Sequence, residues 1–159
     1  VVLASLLADD PLRERRQFHL IDAQGRTACW TGGSCGPWAG HRHQMNLSVA
    51  GNYLVGETVL IAMEQAFLAS DPCWKLGRRL MTALMAGEAA GGDGRSPFST
   101  SASLQISGEA AFPLLDLRVD FRDSAVTELM NVYERSQELW AQQWRDSFAD
   151  LPQLNRLVA

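Results

Sequence analysis

The spacing of apolar positions divides the chain into short segments. Val1-Val2-Leu3-Ala4-Ser5-Leu6-Leu7 is apolar almost throughout and stops at Asp9-Asp10-Pro11. It reads as the end of a helix, because a proline just past the last turn is a usual stop. Its earlier turns are expected to lie upstream of the given sequence. Gln17-Phe18-His19-Leu20-Ile21-Asp22 and Thr27-Ala28-Cys29-Trp30-Thr31 read as strands. Ala23-Gln24-Gly25-Arg26 between them is a polar turn whose glycine can take positive φ, which predicts a hairpin. Gly32 to Gly40, glycine-rich and holding Pro37, predicts a loop, and Leu47-Ser48-Val49-Ala50 a short strand ending at Gly51-Asn52. Val59, Leu60, Met63 and Phe67 recur at helical spacing, predicting a helix over Thr58 to Ala69 with Thr58 as N-cap. Leu76, Leu80 and Leu84 predict a second helix over Trp74 to Ala86, with Gly87 just past its end. Ser101 to Ile106 and Leu115 to Asp120 read as two further strands. A long last helix is predicted from Ala125 to about Phe148, capped by Asp123 or Ser124, within a terminal stretch of helix and tail over 123–159. Its stripe is Val126, Leu129, Tyr133, Trp140, Trp144 and Phe148. No internal repeat is visible.

Strands, then helices, then strands imply an α+β fold: antiparallel sheets with helices on a face, not a βαβ winding. The 159 residues suit a single domain,, able to bury roughly 68–70% of its extended surface. A hydrophobic fraction of 47% and a charged fraction of 20% are ordinary globular values and exclude disorder and fibrous arrays,. Fourteen basic against eighteen acidic side chains leave a net charge of −4, which argues against a nucleic-acid partner,. No apolar run reaches the ~18 residues of a membrane span, and the apolar start lacks the small-residue cleavage site of a signal peptide. Three cysteines, Cys29, Cys35 and Cys73, read most simply as reduced thiols in a cytoplasmic protein,.

More specific signals begin in the glycine-rich loop. Thr31-Gly32, Cys35, Trp38-Ala39-Gly40-His41, Val49-Ala50-Gly51-Asn52 and Ala86-Gly87-Glu88-Ala89-Ala90-Gly91-Gly92-Asp93 follow one another as in a bacterial and archaeal family, domain of unknown function 1028. Asp10-Pro11, Arg16-Gln17, Asp22-Ala23-Gln24-Gly25 and Asp116-Leu117-Arg118-Val119-Asp120 fit the same pattern, so the resemblance spans most of residues 8–122. That family resembles the N-terminal-nucleophile (Ntn) hydrolases, which implies an α-β-β-α sandwich, here an incomplete one corresponding to its C-terminal two-thirds. The resemblance implies further residues before Val1, holding the first strands and an N-terminal Ser or Thr. After Gly91-Gly92-Asp93 the chain departs from the family, with Pro97 and Thr100 where the family has a different, Gln-containing run.

An Ntn hydrolase attacks an amide carbonyl with the hydroxyl or thiol of its first residue, using its own α-amine as base. Val1 has neither group, so the resemblance places the nucleophile outside this chain. A cut at Gly33-Ser34 would expose a serine, but it would detach the hairpin over 17–31. Asn52 is the candidate oxyanion donor, with two amide hydrogens beside a glycine that lets a ligand approach; a plain Gly-Asn turn explains it as well. His41 is the candidate acid/base or orienting group, or else a loop anchor. Trp38, Gly51 and Asp93 are the candidate substrate-side residues, although Asp93 also suits an Asx-turn. No cofactor or metal is expected. Cys35, His41 and His43 do not have a recognised ligand spacing, and the two histidines are expected to point apart. A Cys29–Cys35 disulfide and a Cys35 nucleophile are both disfavoured. Arg13, Arg15 and Arg16, beside Asp9, Asp10 and Glu14, read as a self-neutralising solvated loop.

The leading expectation is a hydrolase of small amide or peptide bonds, completed by residues outside the chain. The alternative is a non-enzymatic scaffold for cell-wall or protein contacts. The aromatic stripe of the last helix suits a homodimer.

Overall fold

The computed structural model describes residues 2–96, 99–109 and 111–149, the side chains of 148 and 149 excepted. Pro97, Phe98 and the tail over 150–159 lie outside the described residues, as does the side chain of Phe148. The fold is α+β, built from helices and small antiparallel sheets. Where the sequence reads as one domain, the chain clusters into two compact units: residues 1–70 with 82–98, and residues 71–81 with 99–159.

The first unit opens with α1 (Val2–Ala8) and a 3-10 turn over Arg13–Arg15. A hairpin follows, β1 (Gln17–Ile21) with β2 (Thr27–Thr31), in the register Gln17 opposite Thr31 and His19 opposite Cys29. The Asp22 carboxylate closes its turn, accepting from the backbone of Gln24 and Arg26 at 2.9 Å each. A second hairpin pairs β3 (Ala39–Gln44) with β4 (Leu47–Asn52), placing Ala39 opposite Asn52 and His41 opposite Ala50. The strand at 39–44 is absent from the sequence reading because both of its faces are polar. One carries His41 and His43. The other carries Arg42, which reaches Glu64 at 2.6 Å and Glu57 at 3.3 Å on α2 (Glu57–Ala69). Leu47 and Val49 turn the apolar side of β4 inward, and α2 packs on β3 and β4 with Val59, Leu60 and Phe67 buried. This unit therefore stacks α2, the β3–β4 sheet and the β1–β2 sheet. α2 starts one residue earlier than predicted. Gly56 holds its N-cap position, and no side chain caps it, Thr58 included.

α3 runs over Leu76–Ala89, belonging to the second unit through Met81 and to the first beyond it. Gly87 is not a terminal residue as expected. It lies inside the helix, where a Cβ would stand 2.7 Å from Met63 of α2, so it allows close helix approach. The left-handed glycines that end the helix are Gly91 (φ 109°) and Gly92 (φ 50°),.

The second unit holds the hairpin β5 (Ser101–Ile106) with β6 (Leu115–Asp120), at the bounds the alternation predicts. α4 (Ala125–Ser136) packs on it, burying Val126, Leu129 and Tyr133 near Leu104. Ser124 occupies the N-cap position but is left-handed (φ 80°) and makes no side-chain cap, and the Ala125 amide is satisfied by the Ser99 carbonyl at 2.9 Å. The single long helix expected to Phe148 is broken at Gln137-Glu138, and α5 (Leu139–Ala149) starts anew. Side chains take the carbonyls that a continuous helix would use: the Ser136 hydroxyl bonds the Tyr133 carbonyl, and Arg145 bonds that of Ser136. The break takes Trp140 and Trp144 off the buried stripe, leaving them 65% and 63% exposed. No described helix is long and apolar enough to cross a membrane.

Candidate functional site

Cross-strand partners share a face, so the registers define the surfaces that meet between the two hairpins. From β1 and β2 come Gln17, His19 and Ile21 with Thr27, Cys29 and Thr31. From β3 and β4 come Ala39, His41, His43, Ser48, Ala50 and Asn52. This layer is mostly polar, with Ile21, Ala39 and Ala50 as its apolar members, and its hydrogen bonds cross from one hairpin to the other. His19 Nδ1 meets Ser48 Oγ at 3.0 Å, Thr27 Oγ1 meets His43 Nδ1 at 2.9 Å, and Thr31 Oγ1 meets His41 Nδ1 at 2.8 Å. All three histidines of the chain are used this way. His41 and His43 do not point apart as expected. Alternate strand residues share a side, and the two ring centroids are 5.9 Å from each other.

Gln17 is the hub. Its Nε2 lies 3.0 Å from Thr31 Oγ1, 3.0 Å from the Gly40 carbonyl and 2.9 Å from the Gly51 carbonyl. Two of those partners can only accept, so the amide has one orientation. Its Oε1 then accepts from Asn52 Nδ2 at 3.0 Å, which fixes the Asn52 amide in turn and leaves its second N–H available. The chain bends sharply after Asn52, with Tyr53 in the left-handed region at φ 56°, a strained conformation of the kind that gathers at binding sites.

Beside this layer a groove of about 500 Å³ is lined by Thr31, the loop 32–38 except Ser34, Ala39, Gly40 and His41. Glu14 shapes the loop. Its carboxylate accepts from Gly33 N at 2.9 Å and its carbonyl from Ser34 N at 2.7 Å. Trp38 lies over Gly40, where a Cβ would stand 2.8 Å from the indole. Trp38 and His41 thus line the groove, whereas Gly51 and Asn52 lie outside its lining and are tied to it by Gln17, which also bonds Thr31 and Gly40 of that lining. Asp93 is held separately. Its backbone bridges Leu54, and Arg95 takes its carboxylate through Nε at 2.9 and 3.1 Å and through Nη2. The Arg95 amide also bonds Asp93 Oδ1, an Asx-turn. The guanidinium holds the Asp93 carboxyl below its ordinary pKa and lies 4.4 Å over the Tyr53 ring.

Cys29, Cys35 and Cys73 are free thiols, and no cluster of three or more metal-ligating side chains occurs among the described residues. Burial lowers the pKa of His41, with the neighbouring His43 and His19 adding to the effect. The unfolded chain therefore binds more protons than the folded one just below the ordinary histidine pKa. Stability falls as pH drops through that value and levels off below the folded pKa of His41. Denaturant midpoints at about pH 7.5 and about pH 5.5 read this. His41→Asn should lose less stability between the two than the wild type, and an equal loss would exclude His41 as the source.

Residues 1–129 match the model of a family of unknown function, DUF1028. The chain belongs to the DUF1028 family. It is similar to the crystal structure of protein SPO2555 from Silicibacter pomeroyi, also a DUF1028 protein, with 29% identity and a TM-score of 0.77. That match covers 89% of this chain and 61% of the other, so the chain spans about three-fifths of the length of that DUF1028 relative. No curated protein matches. The polar layer of this DUF1028 chain was only partly read from sequence. Gln17 and Thr31 entered only as strand residues and as parts of a family pattern, yet the alternation Gln17, His19 against Phe18, Leu20 already marks one polar side of the first strand.

Proposed function

We propose that this chain forms the oxyanion and substrate side of an Ntn-type amidohydrolase site acting on small amide or peptide bonds. The attacking N-terminal hydroxyl or thiol would come from residues outside the 159. The observation that carries the reading is the Asn52 amide, clamped by Gln17 in one orientation beside a groove. An oxyanion donor must be fixed before the charge develops, and a side-chain amide held in this way meets that need. Trp38 and the loop 32–38 would form the wall against which the substrate rests. His41 lines the groove with its Nδ1 engaged by Thr31 Oγ1 at 2.8 Å, which suits it to orient rather than to transfer protons. The three free thiols suit a reducing compartment such as the cytoplasm.

The test uses the intact gene product that carries this chain. Incubation with a β-lactone or a fluorophosphonate, followed by intact mass, should add one label at a Ser, Thr or Cys following the initiator Met. Asn52→Ala should slow hydrolysis of an amide substrate by about 10²–10³-fold. An unlabelled protein that cleaves no amide would favour the non-enzymatic scaffold for cell-wall or protein contacts instead.

A further inference from the structure

The second unit holds a larger groove, of about 880 Å³, and its whole lining comes from that unit. Leu76 and Gly77 of α3, Ile106 of β5, Leu115 and Leu117 of β6 and Tyr133 of α4 form its apolar walls. Phe112, Leu114 and Trp144 add exposed apolar surface, which gives the groove the size and character of a small-molecule site,. One end is different. At the break between α4 and α5 the lining residues are Lys75, Gln137, Gln142 and Arg145. Lys75 Nζ donates to Gln137 Oε1 and to Gln142 Oε1, at 3.0 Å each. Arg145 Nη2 donates to the Ser136 carbonyl, and the Gln142 amide to the Gln137 carbonyl. These bonds use two of the three ammonium hydrogens of Lys75 and one of the five guanidinium hydrogens of Arg145,. All of the acceptors are neutral, and neither cation pairs with a carboxylate among the described residues.

We propose that this groove binds a single-chain amphipathic carboxylate, of the medium-chain fatty-acid type, with its hydrocarbon along the apolar walls and its carboxylate at Lys75 and Arg145. The walls favour a hydrocarbon body. The remaining ammonium and guanidinium hydrogens suit a carboxylate, which can accept from both and can take a guanidinium in a fork. An uncharged chain would leave both cations unmatched, and a cationic head would be repelled. A short anion without a chain would leave the walls in water. Two carboxylates also line the groove, and neither answers the cations. Asp116 alternates with Leu115 and Leu117 along β6, so its side chain leaves from the opposite face, where Gln105 bonds it at 3.3 Å. Asp146 forms no ion pair with Lys75 or Arg145. The site lies wholly within the second unit and stands whether or not the amidohydrolase reading holds.

Calorimetric titration of the intact gene product with decanoate at about pH 7.5, where the carboxylate is ionised, should give one site per chain. Decanol, with the same chain and no charge, should bind at least about tenfold more weakly. Acetate, the head without the chain, should give no heat of binding. Amide and methyl spectra of the labelled protein should place the decanoate shifts at Ile106, Leu115, Leu117 and Gln142. Lys75→Gln and Arg145→Gln should each weaken decanoate binding by about tenfold and leave decanol binding unchanged, a difference that a general loss of structure would not produce. No decanoate binding up to about 1 mM, decanol binding as tightly as decanoate, or shifts confined to other parts of the chain would each overturn the proposal. So would full decanoate affinity in both variants. If a variant fails to fold, the wild-type comparison of decanoate with decanol decides.

Discussion

Leu60→Ala is expected to destabilise the protein by about 2–5 kcal/mol, the usual range for a fully buried leucine. Leu60 is 1% exposed on α2, over the β3–β4 sheet. Its removal leaves a cavity between two elements that have little freedom to close. Arg42 ties β3 to Glu57 and Glu64 on the same helix, and Gly87 holds α3 close against Met63. The loss is a large part of the roughly 5–15 kcal/mol that a typical domain has in reserve. Because the chain forms two compact units, a single midpoint could mix two transitions. Amide hydrogen exchange resolved by residue separates them: protection should fall across β3, β4 and α2, while β5 and β6 keep theirs. Uniform loss across both hairpins would mean that the units unfold as one.

Gly32→Ala should cost about 1–3 kcal/mol or more, as overpacking does. The reason here is specific. A Cβ on Gly32 would stand 2.4 Å from the carbonyl carbon and oxygen of Glu14 and 2.5 Å from the Arg13 carbonyl oxygen. These are backbone atoms, so no rotamer change relieves the clash. Relief requires the 3-10 turn to move off β2, breaking the bonds from Gly32 N to the Arg16 carbonyl (3.0 Å) and from Ser34 N to the Glu14 carbonyl (2.7 Å). The same bonds shape the groove wall. The variant should therefore lose stability and also show altered tryptophan fluorescence in the folded state, because Trp30 bonds the Arg13 carbonyl of that turn and Trp38 lies in the loop. A folded-state spectrum identical to wild type would mean that the turn is not what positions the loop.

Sequence alternation located the hairpin at 17–31 and the two strands over 101–106 and 115–120, though not their pairing, because each strand has a more apolar and a more polar side. It missed the strand at 39–44, where Ala39-Gly40-His41-Arg42-His43-Gln44 has no apolar side to detect. Helical spacing placed α2 and α3 but not the break at Gln137-Glu138, since Ser136, Lys75 and Arg145 satisfy that corner from outside the periodic pattern. Residue chemistry pointed to His41 and Asn52 one at a time. Their connection through Gln17 and Thr31 depends on two hairpins facing each other, information held in pairing and not in spacing. The Asp93 side chain, a candidate substrate-side residue that also suited an Asx-turn, makes that turn together with Arg95.

The arrangement of β1 and β2 reverses the usual placing of oily and wet sides. Phe18, Leu20, Ala28 and Trp30 sit on the side away from β3 and β4, while the imidazoles and hydroxyls lie between the sheets. Sliding either strand by a single residue would trade the two sets. It would drive aromatic rings among hydrogen-bonding groups and break the amide and imidazole bonds that cross between the hairpins. The wrong alignment is thus penalised on both sides at once, so this short hairpin has one alignment despite having only five residues in each strand.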